Sequence, residues 1–288
     1  MNRLVFVMLP LLLAAEGCSV VLAPGEAQCE TTADCEARGF AGAVCTNSVC
    51  EKVEVIDPVW GCLGNVVEPM PDKTKRVDFT VRLSFASDKT SVTMATVDVC
   101  DKLDIDCTGM SSSSTPKGLS PDSGGIVQMS VDQGFDGFVR VTGPDVKDSR
   151  IFVGRPIITP PTVKEVRLLR PNEYTFLINF AKEKEDATRG TAILLAVDCG
   201  FLPVGGARFE TPNADTGSRE FYLINQSPQT PPSATKTDVD GFGGFLNLPQ
   251  GSAVARSFRV SDEMLVGESS FHVLANTISY VQIAPTPK

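Results

Sequence analysis

From Val77 to Phe85 the apolar residues fall at 77, 79, 81, 83 and 85, with Asp78, Thr80, Arg82 and Ser84 between them. A period of two puts one face of a strand in a core and the other in water. Val92 and Met94, then Val97 and Val99, alternate with a slipped phase, which predicts a strand interrupted by a bulge. Val127, Met129 and Val131 repeat the pattern, and Phe138 to Val141, Ile151 to Val153 and Val163 to Leu169 add further short strands. Breaks rich in Gly, Pro, Ser and Asp separate these runs, as a β-sandwich requires. One stretch changes period. Pro171 and Asn172 suit a helix start, and Tyr174, Leu177, Ile178 and Ala181 recur at helical spacing before the charged exit Lys182 to Asp186.

The two halves of the chain repeat weakly. Val97-Asp98-Val99-Cys100 matches Ala196-Val197-Asp198-Cys199, Gly124 to Val127 matches Gly243 to Leu246, and Phe138 to Val141 matches Ser257 to Val260. A period near 100 residues predicts tandem sandwiches and is too long for a solenoid. The second copy carries extra chain from Glu210 to Thr235, which reads as a loop framing the apolar run Phe221 to Ile224. The expected fold class is mainly β: two tandem β-sandwich domains after a small disulfide-rich N-terminal segment, with one short connecting helix.

Nine cysteines change this picture most. Cys29, Cys35, Cys45 and Cys50 lie in a segment too poor in large apolar residues to bury a core, so crosslinks must hold it. Zinc is the rival reading, but the close C-x₂-C pairs typical of zinc knuckles are missing. Spacing leaves three pairings of these four open; the interleaved one, Cys29–Cys45 with Cys35–Cys50, is the expectation. Among the others, Cys100 and Cys107 are close enough to staple one loop, which leaves Cys62 for Cys199. These eight make an even set and leave Cys18 over.

Cys18 follows the features of an export signal. Met1-Asn2-Arg3 is basic, Leu4 to Ala15 is apolar apart from Pro10, and Ala15-Glu16-Gly17 supplies small residues at a cut. The apolar run is too short to span a bilayer, which takes about 20 residues. A cysteine at the cut, followed by Ser19, resembles a bacterial lipoprotein signal, although Ala15 stands where such signals usually carry Leu. Cys18 is therefore the expected lipidation site, and the implied partner is a membrane reached through an N-terminal lipid. Simple secretion of the cut chain is the alternative. The expected location is the bacterial cell envelope, as an outer-membrane lipid-anchored protein, otherwise secreted or periplasmic.

The expected organisation is a signal peptide over 1–17, lipid attachment and tether over 18–28, and a disulfide module over 29–50. A linker over 51–65, a first sandwich over 66–170, a helical connector over 171–189 and a second sandwich over 190–288 follow. Net charge is −9, with no basic patch, so nucleic acid is not an expected partner.

Two resemblances attach to these segments. Cys18-Ser19 with the apolar residues after it, Gln28 to Cys35, and the Cys45 and Cys50 pair resemble the start of secreted myxobacterial lipoproteins. Val197 to Ala207, Thr237-Asp238-Val239-Asp240-Gly241 and Phe245 to Gly251 resemble the carboxypeptidase regulatory-like (transthyretin-like) β-sandwich. The second resemblance implies an accessory module without catalysis of its own.

Candidate chemistry is sparse. His272, the only histidine, alternates with Phe271 and Val273 and is expected on the wet face of a strand. Neither a zinc-protease motif, a serine-hydrolase elbow nor a P-loop is present. Asp98, Asp101, Asp104 and Asp106, and separately Asp238 and Asp240 before Gly241, could hold calcium, but they read as turn and edge aspartates. No catalytic residue, metal or cofactor is expected. The functional expectation is a non-enzymatic module that binds or displays, with a protein or glycan as ligand. The alternatives are a structural envelope spacer without a specific ligand, and an accessory module or carboxylate-based hydrolase.

Overall fold

The computed structural model describes residues 27–52, 57–68, 70–159 and 163–287. The signal segment and Cys18 lie outside the described residues. The chain divides into two compact units, Met1–Ile56 and Asp57–Lys288.

The first unit holds helix α1 (Thr32–Ala37) and the hairpin β1 (Ala43–Thr46) and β2 (Val49–Lys52). Asp34 starts the helix by accepting from the backbone N–H groups of Glu30 (2.9 Å) and Thr31 (2.7 Å), which meets donors the helix itself leaves open. Among the described residues of this unit the buried core is Cys29, Cys35 and Ala43.

The second unit begins with β3 (Arg76–Phe85), β4 (Thr96–Asp101), β5 (Ile126–Asp132), β6 (Gly137–Gly143), β7 (Val146–Phe152) and β8 (Lys164–Leu168). Helix α2 (Pro171–Phe180) leads into β9 (Gly190–Ala196), β10 (Ala207–Glu210), β11 (Arg219–Ile224) and β12 (Ser227–Gln229). The chain ends with β13 (Phe242–Leu248), β14 (Gly251–Arg259), β15 (Met264–Val273) and β16 (Ile278–Ile283). The alternating residues of β3, from Val77 to Phe85, are buried as their period requires. Met94 is 65% exposed, and the strand expected from Val92 onward begins only at Thr96.

The tandem repeat is present in the topology. In the first repeat β3 pairs antiparallel with β5 and parallel with β8, while β6 lies between β4 and β7. In the second, β9 pairs antiparallel with β13 and parallel with β16, while β14 lies between β10 and β15. Each repeat is thus a sandwich of two sheets built in the same strand order. The two are joined because β16 also pairs parallel with β7, from Ile278 opposite Ser149 to Val281 opposite Phe152. The result is one eight-stranded sheet, β12-β11-β13-β9-β16-β7-β6-β4, with the sheets β5-β3-β8 and β10-β14-β15 separate from it.

Both faces of the long sheet are buried. One face contributes Val97, Val139, Ile151, Ile193 and Ile278 to a core that includes β3 and the Tyr174, Leu177 and Ile178 face of α2. The other contributes Phe138, Phe152, Leu194 and Val281 to a core that includes Ala253 and Phe271. The helix face is the one its spacing predicts, and Tyr174 secures it with a 2.9 Å hydrogen bond between its hydroxyl and Thr191.

Two expectations need correction. The extra chain from Glu210 to Thr235 is not simply a loop: β11 and β12 extend the sheet beyond β13, and Phe221 and Tyr222 are fully buried. The sequence alignment of the repeats is also out of register. The equivalent glycines are Gly125 and Gly241, at φ +75° and +73°. Gly125 O accepts from Leu83 N (2.8 Å), and Gly241 O accepts from Ala196 N (2.9 Å). The turn Asp122–Gly125 therefore matches Asp238–Gly241, and β4 with Cys100 matches β10, whereas Cys199 follows β9. Pairing geometry sets equivalence in a sheet, and letter matches between loops of unequal length do not track it.

Candidate functional site

The expected cysteine positions are placed as follows. Cys29 bonds Cys45 and Cys35 bonds Cys50, with Cα separations of 5.8 and 5.6 Å. Cys62 bonds Cys199 across 137 residues, and Cys100 bonds Cys107. The sulfurs of Cys29, Cys35 and Cys50 lie within 4.8 Å of one another, but each belongs to a disulfide and offers no thiolate to a metal.

The acidic clusters do not converge on a cation site among the described residues. Asp98 is buried, and it accepts from Arg140 Nη2 (2.6 Å) and Gly118 N (2.8 Å). Burial alone would raise its pKa, but these partners together hold the carboxyl below its ordinary value. Asp104 closes a turn on the N–H groups of Thr108 (3.0 Å) and Gly109 (2.9 Å). Asp101 and Asp106 are exposed. Asp238 accepts from Asn225 N (2.6 Å) and Asp240 N (3.0 Å), so it too organises a turn.

His272 sits on β15 opposite Ser252 of β14, with Nδ1 3.3 Å from the serine Oγ. It is half-buried and not fully on a wet face; burial holds its pKa below the usual imidazole value. The described contacts provide no carboxylate hydrogen-bonded to the ring, so the serine and histidine lack the orienting acid of a triad. Glu220 is the carboxyl that burial pushes upward, and it is occupied: Tyr222 OH donates to it (2.6 Å) while accepting from Phe209 N (3.1 Å). That chain of bonds ties β11 to β10 as structure.

A chemically mixed surface lies at the end of the second sandwich where β9 and β14 finish. Two loops meet there, because Gly205 packs against the backbone of Asp238 and Val239. Phe201, Leu202 and Val239 project from them at 55%, 65% and 80% exposure. The segment after Asp57 is fastened to the same end: Cys62 is disulfide-bonded to Cys199, and Cys199 N donates to Val59 O (3.1 Å). Asp57 holds that segment in a turn by accepting from Val59 N (2.9 Å) and Trp60 N (3.2 Å). Beside it lies a depression of about 290 Å³ whose lining includes Asp57, Trp60, Gly205, Gly206, Lys236, Arg259 and, on the turn after β14, the exposed Ser261.

The sequence expectation gives this site no role: residues 51–65 are read as a linker, and Gly205 and Gly206 enter only within the Val197 to Ala207 resemblance. The available signal was that Trp60, the only tryptophan in the chain, stands two residues before a cysteine.

No protein-family model matches the chain, and no curated protein matches it. Solved structures with some likeness include the Bacillus anthracis TIE protein (11% identity, TM-score 0.25), with 74% of this chain matched to 34% of that one. The shaft pilin SpaA of Lactobacillus rhamnosus GG is similar at 11% identity and TM-score 0.22, covering 74% of this chain and 99% of the pilin. A streptococcal ancillary pilin is similar at 14% identity and TM-score 0.23, covering 78% and 68%. The match thus spans about a third of the TIE protein's length. These findings correct the two resemblances read from sequence: no family model matches, two of the three structures named are pilins, and neither a carboxypeptidase regulatory-like nor a myxobacterial lipoprotein assignment is sustained. The motifs behind them were turn residues and cysteine spacings, which many β-sandwiches and small disulfide modules share. At TM-scores this low the likeness carries no inference about activity.

Proposed function

We propose that the protein is a non-enzymatic, exported cell-envelope module that binds or displays, tethered through a lipid at Cys18. The observation that carries the binding role is the projection into solvent of Phe201 and Leu202 from the loop fixed by the Cys62–Cys199 disulfide, and of Val239 from the Asp238 turn packed on Gly205. Bulky apolar side chains gathered on a rigid loop end are a contact surface for a partner. The lipid and the export rest on the N-terminal segment, whose basic start, apolar run and Cys18 have the order of a lipoprotein signal.

Crosslinking the full-length protein in its native envelope tests the binding role. A reproducible, stoichiometric partner whose capture is lost on Phe201→Ser/Leu202→Ser substitution is expected; an envelope spacer would give none. An intact mass of the mature protein tests the tether, and an unmodified Cys18 would remove it. The hydrolase alternative requires a loss of activity when a carboxylate is neutralised; on the present reading Glu220→Gln changes stability only.

A further inference from the structure

The depression beside Trp60 has a composition that specifies its ligand more closely than the loop tips do. Its one aromatic wall, Trp60, is half-buried and packs against the core, so the indole is held in place. Its floor is bare backbone. Gly206 sits at φ +78°, a conformation that side-chain-bearing residues rarely adopt, and a Cβ there would meet no atom within 4 Å. The space above the floor is therefore open.

The rim carries both signs of charge. Arg259 Nη1 lies 3.7 Å from Asp57 Oδ2, and Arg259 Nε donates to Asp262 Oδ1 at 2.9 Å, while Lys236 is exposed. The guanidinium is balanced by two carboxylates, so the lining has no strong preference for a charged ligand. Donors and acceptors are interspersed at its edge. Both backbone groups of Gly206 are already paired: its N–H donates to Thr237 O and its carbonyl accepts from Val260 N, both at 2.9 Å. An extended peptide would find no ladder group to pair with at Gly206.

We infer that this depression binds a neutral saccharide, with the apolar face of a pyranose ring on Trp60 and its hydroxyls on the Asp57 and Arg259 rim. A pyranose offers an apolar C–H face and a ring of hydroxyls that both donate and accept, the complement of an aromatic wall beside mixed charges. The Cys62–Cys199 disulfide holds Trp60 and the β9–β10 loop together before the ligand arrives, which limits the ordering cost of binding. The inference rests on the binding-module reading and names a ligand class for it.

Because Trp60 is the only tryptophan, its emission reports on this site alone. The disulfide-intact protein is titrated with maltotetraose, cellotetraose and chitotetraose, with tetraglutamate and tetralysine peptides as contrasts. A saturable change is expected with at least one saccharide, half-complete below about 1 mM. Its midpoint should shift less than about twofold between low and high salt, because no net charge is neutralised. Ser261→Arg fills the depression from an exposed turn position and leaves the reporter in place. It should raise the midpoint by about tenfold or more without moving the thermal midpoint of the free protein. No response to the three saccharides up to about 10 mM, a response to a charged peptide only, or an unchanged midpoint in Ser261→Arg overturns the inference. Capture of a protein partner through Phe201 and Leu202 alongside such a failure would leave the binding-module reading standing.

Discussion

The two repeats share a strand order but protect their edges differently. In the second repeat β11 and β12 cover β13, whereas the equivalent strand of the first repeat, β5, has no strand on its outer side among the described residues. There Asp122 accepts from Ile126 N (2.8 Å) and donates through its own N–H to Ile126 O (3.0 Å). Arg76 Nη2 reaches Ser130 O (2.6 Å) further along the strand. Side chains and a turn thus do for β5 what an inserted hairpin does for β13. At β4 the segment Pro116–Leu119 supplies the cover, with Val99 N donating to Pro116 O and Val97 N to Leu119 O, both at 2.8 Å. Open edges invite pairing with other chains, so one topology has met the same hazard by three local routes. The inserted hairpin is the one that also enlarges a core, through Phe221 and Tyr222.

The joint between the repeats is where the comparison can be broken most severely. Phe152 lies on β7, beside β16, with its ring 5.3 Å from Phe138 and 6.0 Å from Phe271. Phe152→Ala should cost about 4 kcal/mol, and calorimetry should show one cooperative transition for residues 57–288 moving down as a whole. Two separate transitions would mean that the shared sheet does not couple the repeats. Next in size, Cys62→Ser with Cys199→Ser should cost about 3 kcal/mol in denaturant unfolding under oxidising conditions, because the bond closes a long loop. An unchanged midpoint would show that the loop end is held without it.

The equivalent turn glycines give a matched pair of smaller tests. An added Cβ would fall 2.3 Å from Leu83 O at Gly125 and 2.6 Å from Ala196 O at Gly241. Gly125→Ala and Gly241→Ala should each cost about 2 kcal/mol, from positive φ and backbone crowding together. A cost at one position alone would break their equivalence.

The smallest effect comes from a position where the repeats disagree. Lys164 pairs with Val81 on β8 as Val281 pairs with Leu194 on β16, and it shares the inward face of Val166 and Leu168. Its Nζ donates to Phe152 O at 3.4 Å, and burial pushes the amine down to about 8. The unfolded amine keeps its proton up to about pH 10.4, so between these values the unfolded state binds more protons and stability rises with pH. Below about pH 8 the cost of the buried charge is fully present. Lys164→Val, the residue of the second repeat, should stabilise the protein by about 1 kcal/mol at pH 7 and remove the rise between pH 8 and 10.4. A slope that survives in the variant would place its origin elsewhere.

Legibility in the sequence followed how local each feature is. The alternation of β3 and the 174, 177, 178 face of α2 were readable because period alone places those side chains. Strands β9 and β16 gave no such signal: Gly190–Ala196 and Ile278–Ile283 are buried on both faces, so their apolar residues keep no period of two, and the buried Thr191 and Ser279 stand among them. Of the candidate site, Val197 to Ala207 was visible as part of a sandwich, and Trp60, within the expected linker, was not visible as a wall. Its role depends on a partner more than a hundred residues away.

By itself, the sequence determined a mainly β sandwich fold, a helix at the join and a chain that cannot hold its N-terminal segment without crosslinks. Side-chain periodicity and apolar content are properties of neighbours along the chain, and they suffice for that much. Tertiary structure alone decided that β16, paired with β9 in its own repeat, also pairs with β7, that β11 and β12 become sheet, and that Lys164 stands where its counterpart is valine. Strand pairing is a choice among distant segments, made by the burial of whole faces and the satisfaction of backbone groups at once. No local pattern encodes the partner.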